Sequence, residues 1–266
     1  MVSNIPPDGS SNHAQLRKYA QDLARLYRSE REKKQQLHAT KQQLVKYADE
    51  LNQTILELKE THDELQRAFL DTIHRLVLAA EYKDEDTGDH ILRMSRYSAL
   101  IAQKLNLPDT DIQHILYASP MHDVGKIGIP DSILLKPGKL TEEEFGIMKT
   151  HTIIGANILA YSKVELIQIA EHIALSHHEK WNGKGYPQGL TGEDIHIAAR
   201  IVGLIDVFDA LTSKRPYKDP YPVEKAMNII KKERGKQFDP DVTDVFLKHI
   251  DEIVTIKSDV KSAQAL

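Results

Sequence analysis

The feature that most constrains this fold is a long stretch without helix-breaking residues near the start of the chain. From His13 to Tyr82 the sequence contains neither glycine nor proline, so nothing interrupts one continuous helix. Leucines recur in this stretch at every seventh position, and Glu30 alone breaks the repeat. These leucines are Leu16, Leu23, Leu37, Leu44, Leu51, Leu58 and Leu65. A leucine heptad among charged side chains predicts a parallel two-stranded coiled coil, and hence a homodimer.

The second set of core positions in this repeat is mixed in character. It consists of Ala20, Tyr27, Lys34, Lys41, Ala48, Ile55, His62 and Phe69. Lysine at such a position weakens association and favours a small number of strands. The alternative is one amphipathic helix packed along its own domain, but the repeat is longer than any one domain face. A coiled coil could pass a twist or a change of register to the part of the chain that follows it.

The composition narrows the range of functions. A chain of 266 residues with 41% hydrophobic residues can bury a large core, which fits one large domain plus an extension. The formal net charge of -4 argues against general DNA binding. The absence of cysteine excludes disulfides, cysteine-ligated zinc and thiol nucleophiles.

The sequence predicts a soluble, cytoplasmic protein. Its opening residues lack a basic segment followed by an apolar one, so no signal peptide is expected. Apolar runs such as 201–208 are too short to span a bilayer, and Asp206 interrupts that run. We therefore expect no membrane span.

Near Phe69 the pattern changes to shorter helical segments separated by turns. Predicted helices cover 90–105, 109–119, 153–159, 164–177 and 198–212, and two more, 222–232 and 241–254, close the domain. Thr141 and Glu144 form the pattern of a capping box, and glycine-rich 178–196 is predicted as a loop. No alternating strand pattern is present, so the predicted fold class is all-α. We expect a disordered lead (1–12), a coiled-coil helix (13–68) and a helical domain (69–266).

One short segment of this helical domain combines groups suited to phosphate-ester chemistry. His122 and Asp123 are adjacent, and Lys126 follows in a glycine-rich turn. An imidazole and a carboxylate on one piece of backbone offer a borderline cation one nitrogen and one oxygen donor. The lysine could stabilise charge on a substrate phosphate. Alone, a His-Asp pair is weak evidence, because most such pairs arise by chance.

Further candidate ligands lie on both sides of this segment. They are Asp86, His90, His151, His177, His178 and Asp206. Taken singly, most of these histidines would be ordinary structural residues, but Asp206 lies in an apolar run where a cation would be a suitable partner. The adjacent His177 and His178 point about 100° apart on a helix, so each could bind a different ion. This many nitrogen and oxygen donors favours two or three ions of iron, manganese or zinc.

These motifs resemble those of the HD superfamily of metal-dependent phosphohydrolases, and within it the HD-GYP subgroup. The resemblance covers about residues 72–250. It rests on His90, His122-Asp123 with Lys126, His151, His177-His178-Glu179, Gly185-Tyr186-Pro187, and the segments 206–212 and 215–218. It implies an HD-type helical bundle and a catalytic domain over 69–266. The implied activity is a phosphodiesterase that opens cyclic di-GMP, giving pGpG or, on further cleavage, GMP.

The resemblance also implies roles for individual residues. The implied metal ligands are His90, His122, Asp123, His151, His177, His178 and Asp206. Lys126 is implied to stabilise the phosphoryl oxygens, and Tyr186, Asp209, Arg215 and Lys218 to lie near the bound nucleotide. Some members use a glutamate four residues before the first histidine to help hold a third metal. Here that residue is Asp86, one methylene shorter, so both two and three ions remain open.

A mechanism follows from these implied roles. Two cations a few Å apart lower the pKa of a bridging water, and the resulting hydroxide attacks phosphorus in line. The catalytic residues would be Asp123, which holds the metals, and Lys126, which neutralises the developing negative charge. Arg215 and Lys218 would hold the second phosphate of the ring, and Tyr186 would stack on a guanine. Iron is the first choice of metal, with manganese and zinc as alternatives.

Two other functions fit the same motifs. One is an HD phosphohydrolase for another cyclic dinucleotide or nucleotide, with the same ligands and a different pocket. The other is a nucleotide-sensing module whose Gly-Tyr-Pro loop and coiled coil bind proteins without catalysis. The resemblance implies a diguanylate-cyclase domain as one such partner. An intact set of metal ligands favours the active phosphodiesterase.

Overall fold

The computed structural model describes residues 9–81, 83, 88–214 and 219–262. These residues form α-helices, short 3-10 turns and two isolated β-bridges, and none of them lies in a β-strand. The all-α prediction is therefore confirmed. The chain divides into two compact units, Met1–Ala68 and Phe69–Leu266. Within the described ranges, no helix is both long and apolar enough to cross a bilayer.

A single long helix, α1, forms the described part of the first unit. It spans Gly9–Glu81, so its last turns belong to the second unit. The sequence places residues 9–12 in a disordered lead, but in the structure α1 begins at Gly9 and includes them. Residues 1–8 lie outside the described part. The heptad leucines are exposed, with residue exposures from 55% at Leu23 to 70% at Leu37. The apolar stripe that these leucines form along α1 is thus exposed.

The second unit consists of shorter helices. In its first half, α2 spans Gly88–Lys104, α3 Asp109–Ala118, α4 Asp131–Leu134, α5 Glu142–Lys149 and α6 His151–Leu159. In its second half, α7 spans Glu165–Ser176, α8 Ile197–Thr212, α9 Val223–Lys232, α10 Pro240–Lys248 and α11 Ile250–Ser262. Short 3-10 segments cover Ser119–Met121, Val124–Gly128 and Gly192–Asp194.

Local sequence signals explain several of these boundaries. The predicted capping box is confirmed, because Thr141 Oγ1 accepts from the Glu144 amide and the Glu144 carboxylate accepts from the Thr141 amide. The prediction of one helix over 241–254 is wrong. His249 leaves the helical conformation, with φ −111° and ψ 23°, and ends α10 before α11 begins. The closing segment is therefore two helices rather than one.

The core of the second unit is built around α2, α7 and α8. α8 is apolar on most of its circumference, and Ile201, Leu204 and Phe208 are fully buried. α2 packs on α3 and α8, and α7 packs on α3, α6 and α8. This arrangement brings the C-terminal ends of α3 and α7 close to the polar residues of α2 and α8.

Candidate metal centre

Seven of the eight predicted metal ligands lie in two groups of side chains. One group, the His90 cluster, contains His90, His122 and Asp206. The other, the His151 cluster, contains Asp123, His151, His177 and His178. Within each cluster, one candidate ligand atom per residue lies within 4.8 Å of the others. The eighth predicted ligand, Asp86, lies outside the described residues, so the prediction of a third ion stays a prediction.

The ends of helices deliver most of these ligands. His90 lies in the first turn of α2, and His122 and Asp123 form the turn after α3. His177 is the C-cap of α7, and His178 begins the turn that follows. That change of chain direction places both histidines in the His151 cluster. Both histidines thus belong to one group of candidate ligands, and the expectation that each could serve a different ion stays a prediction.

The two clusters are adjacent and are linked through their imidazole rings. The ring centroids of His122 and His177 are 5.2 Å apart, and those of His90 and His122 are 5.6 Å apart. The Asp123 carboxylate lies between the clusters. Its Oδ2 is 3.3 Å from His122 Nε2, while its Oδ1 is 3.2 Å from His151 Nε2 and 3.6 Å from His177 Nε2. One carboxylate is thus placed to serve both clusters.

Hydrogen bonds to the backbone fix the tautomers of three of these histidines. Nδ1 of His122, His151 and His177 lies 3.0, 2.8 and 3.0 Å from the carbonyl oxygens of Ser119, Met148 and Ile173. A carbonyl oxygen only accepts, so each Nδ1 carries the proton. In neutral imidazoles, the Nε2 lone pairs therefore face the cluster.

This arrangement leaves buried atoms that a cation would satisfy. Among the described residues, Nε2 of His151, Nε2 of His177 and Oδ1 of Asp123 are buried and accept no hydrogen bond. Burial lowers the pKa of His151 to about 4, so its ring is neutral near pH 7 and its lone pair faces the carboxylate oxygen. Two lone pairs at that distance repel each other unless a positive ion lies between them. The residues present therefore fit a divalent metal centre with nitrogen and oxygen ligands.

A charged group supports the His90 cluster from behind. Asp209 Oδ2 accepts a 2.8 Å hydrogen bond from His90 Nδ1. Arg93 donates from Nε to Asp209 Oδ1 at 2.6 Å and from Nη2 to Oδ2 at 2.8 Å. The three residues are at most 5% exposed. Burial raises the pKa of the Asp209 carboxyl, but the hydrogen bonds from Arg93 and His90 outweigh it and hold that pKa well below its usual value.

These contacts give Asp209 a structural role. The resemblance implies a position near the bound nucleotide, which stays a prediction, whereas in the structure both of its oxygens are engaged by Arg93 and His90 inside the protein. It therefore orients a candidate metal ligand. Arg93 is not among the site residues predicted from the sequence. Its spacing of three residues from His90 on a helix was the available signal, because residues three apart share a face.

Two glycines allow the backbone to approach closely around the His151 cluster. A Cβ on Gly125 would overlap the His151 carbonyl oxygen and the Gly155 amide nitrogen. A Cβ on Gly203 would overlap the His177 carbonyl oxygen. Glycine at these positions thus lets the turn after α3 meet α6, and lets α8 meet the end of α7. Both contacts bring ligands from separate helices together.

Lys126 and Asp123 form a partly buried ion pair at the edge of the centre. Lys126 Nζ lies 2.8 Å from Asp123 Oδ2. Burial raises the pKa of the Asp123 carboxyl, but the charges of Lys126 and His122 outweigh it, and the net pKa is well below the usual value. The carboxylate is therefore ionised and able to bind a metal at neutral pH.

The Gly-Tyr-Pro loop lies against the His151 cluster. The ring of Tyr186 is 4.8 Å from that of His178 and 6.3 Å from that of Phe145, with Lys149 Nζ 5.7 Å from its centroid. Burial raises the pKa of the Tyr186 hydroxyl, with a smaller effect from Asp123. The side chain is half-buried rather than free in solvent. Arg215 and Lys218 lie outside the described residues, so their roles stay predictions.

A glutamate that follows the histidine pair holds this loop in place. Glu179 is 7% exposed, and its Oε1 accepts from the amides of Gln188 at 2.6 Å and Gly189 at 3.0 Å. The loop also approaches closely at Gly185, where a Cβ would overlap the backbone of Glu179 and Lys180. Glu179 belongs to the motif His177-His178-Glu179, but the sequence alone does not predict that it holds this loop.

An all-helical unit with two adjacent ligand clusters defines the chain as a candidate binuclear metal protein. A family model described as HD domain matches residues 50–242. The chain therefore belongs to the HD domain family, as its motifs predict.

Comparison with curated proteins identifies phosphodiesterases as relatives, which confirms the resemblance to the HD-GYP subgroup. The chain is 41% identical over 227 residues to the cyclic di-GMP phosphodiesterase response regulator RpfG of Xanthomonas campestris. This alignment covers 84% of this chain and 60% of that protein. It is 42% identical over 204 residues to 3'3'-cGAMP-specific phosphodiesterase 2 of Vibrio cholerae. This second alignment covers 77% of this chain and 38% of that protein. The chain thus spans at most 60% of the length of these two relatives.

A solved structure supports the fold. It is the cyclic GMP-AMP specific phosphodiesterase V-cGAP3 of V. cholerae, which matches with a TM-score of 0.54 and 18% identity. The match covers 72% of this chain and 53% of that one.

Proposed function

We propose that this chain is a metal-dependent phosphodiesterase that hydrolyses cyclic di-GMP to pGpG, GMP or both. The observation that carries the proposal is the pair of adjacent ligand clusters with Asp123 between them. Two divalent ions at such a spacing supply Lewis acidity and an activated water for attack on a phosphodiester. The relative named as a cyclic di-GMP phosphodiesterase, which shares 41% of its aligned residues, supports the choice of substrate.

The side chains of this protein divide the remaining work. Lys126 is partly buried beside Asp123, where its ammonium group can neutralise negative charge that develops on a phosphoryl oxygen. Tyr186 lies next to the clusters and offers an aromatic face to an unpaired base. Asp209 and Arg93 hold His90 in one orientation and one tautomer. Arg215 and Lys218 are proposed to hold the second phosphate of the ring.

We assign two ions to this centre, with iron as the first choice and manganese or zinc as alternatives. Imidazole nitrogens dominate both clusters, and carboxylate oxygens complete them, a mixture that suits these metals. A third ion would need Asp86 as an additional ligand.

A second candidate substrate is 3'3'-cGAMP. The observation that favours it is the similarity to a relative named as specific for that dinucleotide, which at 42% identity matches as well as RpfG does. The two substrates differ in one base, so the ligand clusters would serve both equally. The surroundings of Tyr186 would decide between them.

The test is an anaerobic incubation of the Fe(II)- or Mn(II)-loaded chain with each dinucleotide in separate reactions. Products are separated, kcat/KM is measured for both substrates, and the metal content per chain is determined. We expect linear product from cyclic di-GMP with two or more metals per chain. Faster turnover of 3'3'-cGAMP would move the assignment to the second substrate. A fully loaded chain that cleaves neither would contradict the enzymatic proposal and favour nucleotide sensing.

We further propose that α1 forms a parallel two-stranded coiled coil with a second copy of the chain. The exposed heptad leucines support this proposal, since an apolar stripe on an isolated helix lacks the burial that stabilises it. Replacing Leu44 and Leu51 by Glu should convert a dimer into a monomer in analytical ultracentrifugation. Lys46→Glu, which lies between them on the charged face, is the matched control and should leave the dimer intact.

A further inference from the structure

A third group of candidate metal ligands lies outside the centre described above. It consists of Asp111 and His114 on α3 and Glu165 in the first turn of α7. One ligand atom from each lies within 4.8 Å of the other two. We call this group the α3–α7 site. Asp111 and His114 are three residues apart on one helix, so they share a face that meets α7.

The α3–α7 site is well separated from the two clusters along the helices. Glu165 begins α7 and His177 caps its other end, a distance of about 18 Å at about 1.5 Å per residue. Asp111 stands in the first turn of α3, whereas His122 and Asp123 follow its last turn. The two helices thus meet at both ends. Their C-terminal ends carry ligands of the candidate metal centre, and their N-terminal ends carry the α3–α7 site.

The charges at the α3–α7 site lack a cation. Two carboxylates, those of Asp111 and Glu165, lie within 4.8 Å of each other. Neither takes part in a salt bridge with any residue in the described ranges. Like charges at this distance repel each other, and a divalent cation between them would turn the repulsion into attraction.

The imidazole of His114 provides a second, independent observation. Its Nδ1 atom is buried and has no hydrogen-bond partner in the described part of the chain. A buried ring nitrogen without a partner is unfavourable, because it has lost its contact with water. A metal ion can satisfy an imidazole nitrogen, and one ring nitrogen of His114 lies within 4.8 Å of the two carboxylate oxygens, a set of donors that suits zinc.

A cavity beside the site gives an ion access from solvent. It has a volume of about 310 Å³ and is lined by Asp111 and Glu165 together with His172 and His196. The last two rings are stacked, 4.8 Å apart and 3° from parallel. His196 Nδ1 accepts from the Ala198 amide and caps α8, so this nitrogen carries no proton. The cavity wall therefore contains a neutral imidazole beside the carboxylates rather than a fixed positive charge.

We propose that Asp111, His114 and Glu165 bind one divalent cation of the zinc class. The bound ion would tie the N-terminal ends of α3 and α7 together, as a structural metal ties two segments in a small domain. Because the same helices carry His122, Asp123, His177 and His178 at their other ends, the ion also restricts the spacing of those ligands. This assignment is independent of the proposed function, since it concerns Zn²⁺ binding and stability alone.

The experiment measures Zn²⁺ bound per full-length chain by equilibrium dialysis at a series of buffered free Zn²⁺ concentrations. Wild type is compared with Glu165→Gln and Asp111→Asn, and with Asp109→Asn as the matched control. Asp109 lies in the same turn of α3, is exposed and is not part of the ligand group. Circular dichroism verifies that each variant is folded, and Glu165 is exposed, so Glu165→Gln should fold even if Asp111→Asn does not.

We expect wild type and Asp109→Asn to bind one Zn²⁺ per chain more than Glu165→Gln and Asp111→Asn. The affinity of this extra ion should fall by about a hundredfold or more on loss of one ligand, since even outer-shell partners contribute about 10- to 100-fold. The Zn²⁺-dependent increase in Tm should shrink in the same two variants. Equal Zn²⁺ content and equal Tm shifts in wild type, Glu165→Gln and Asp109→Asn would overturn the proposal. The result holds whether or not the loaded protein cleaves a dinucleotide.

Discussion

The two ligand clusters are neighbours in space but are supported in different ways. In the His151 cluster, His151 and His177 donate from Nδ1 to the main-chain carbonyls of Met148 and Ile173. In the His90 cluster, His90 donates from Nδ1 to the carboxylate of Asp209, which is held in turn by Arg93. The His151 cluster thus relies on neutral backbone dipoles, whereas the His90 cluster combines one such contact, from His122 to the Ser119 carbonyl, with a buried charged group behind His90.

This difference sets the charge of the imidazoles before any metal binds. Burial lowers the pKa of His90, but the hydrogen bond and charge of Asp209 outweigh it, and the net pKa is raised above 6.5. Burial lowers the pKa of His151 to about 4, and nearby His177 lowers the pKa of His178 further after burial. Protons compete with a metal at His151 and His178 only at low pH, whereas at His90 this competition extends to higher pH. The carbonyl groups that accept from His151 and His177 cannot be removed by a side-chain substitution, but the Asp209 carboxylate that accepts from His90 can.

The largest effect is expected from a substitution that removes the residue shared by both clusters. Asp123→Ala deletes the carboxylate that contacts His122 on one side and His151 and His177 on the other. We expect the metal held by the two clusters to be lost and hydrolysis to fall to background, with an unchanged helical spectrum. Metal analysis and product separation on the same sample measure both quantities. Retained activity in Asp123→Ala would show that neither cluster depends on this carboxylate.

A smaller effect is expected where the metal remains but a charge is lost. Lys126→Ala removes the ammonium group beside Asp123 without removing a ligand. We expect metal per chain to be retained and kcat to fall by about 10²- to 10³-fold, the scale for one preorganised donor. Lys139→Ala, an exposed lysine on the loop before α5, is the matched control and should have wild-type kcat. An unchanged rate in Lys126→Ala would exclude this lysine from the chemistry.

The comparison of the two clusters is tested directly by changing the charged support alone. Asp209→Asn keeps the size of the side chain but removes the charge that His90 and Arg93 share. We expect the affinity of the His90 cluster for metal to fall about 10- to 100-fold, and that of the His151 cluster to stay within about twofold. Stepwise metal titration followed by calorimetry separates the two events.

The control for this substitution is Ser213→Ala, which removes only the 3.2 Å hydrogen bond from Arg93 Nη2 to Ser213. It should leave both affinities unchanged. Equal loss of metal from both clusters in Asp209→Asn would mean that they bind as one unit rather than as two differently supported sites.

The mildest way to separate the clusters is a change of pH. Protons compete with metal at a histidine as the pH falls through its pKa. Since the pKa of His90 is raised and that of His151 is lowered to about 4, the His90 cluster should release its metal first as the pH falls. Metal retained after dialysis at a series of pH values should decline in two steps. A single step would contradict the difference in support.

The metal-free protein should show the same asymmetry in its stability. His151 binds a proton near pH 6.5 when unfolded but only near pH 4 when folded, so its contribution lowers the free energy of unfolding as the pH falls from about 6.5 to about 4. His90 has the opposite sign, because its raised pKa stabilises the fold at low pH and this stabilisation is lost as the pH rises through that pKa. Chemical denaturation of wild type and Asp209→Asn, over a pH range that extends from about 4 to above 6.5, measures both contributions. We expect the second contribution to disappear in Asp209→Asn.

Much of the site could be predicted because its ligands stand in short motifs. His122 with Asp123, His177 with His178, and Asp206 in an apolar run each signal chemistry at a fixed place in the chain. The partner of Asp209 could not be predicted in the same way, because Arg93 lies on a different helix. The sequence shows the same residue type whether a carboxylate faces a bound ligand or a buried arginine. The side of the helix that it occupies after packing decides between the two.

The sequence by itself determined the fold class, the long helix α1, the capping box before α5 and the identity of most candidate ligands. All of these depend on residues within a few positions of one another, where helix geometry fixes the relation. Tertiary structure alone decided that His177 and His178 belong to one cluster and that Asp209 supports His90. It also brought Glu165 to Asp111 and His114. The physical reason is that contacts between helices depend on the angle and offset at which they pack, and residue spacing along the chain does not specify either quantity.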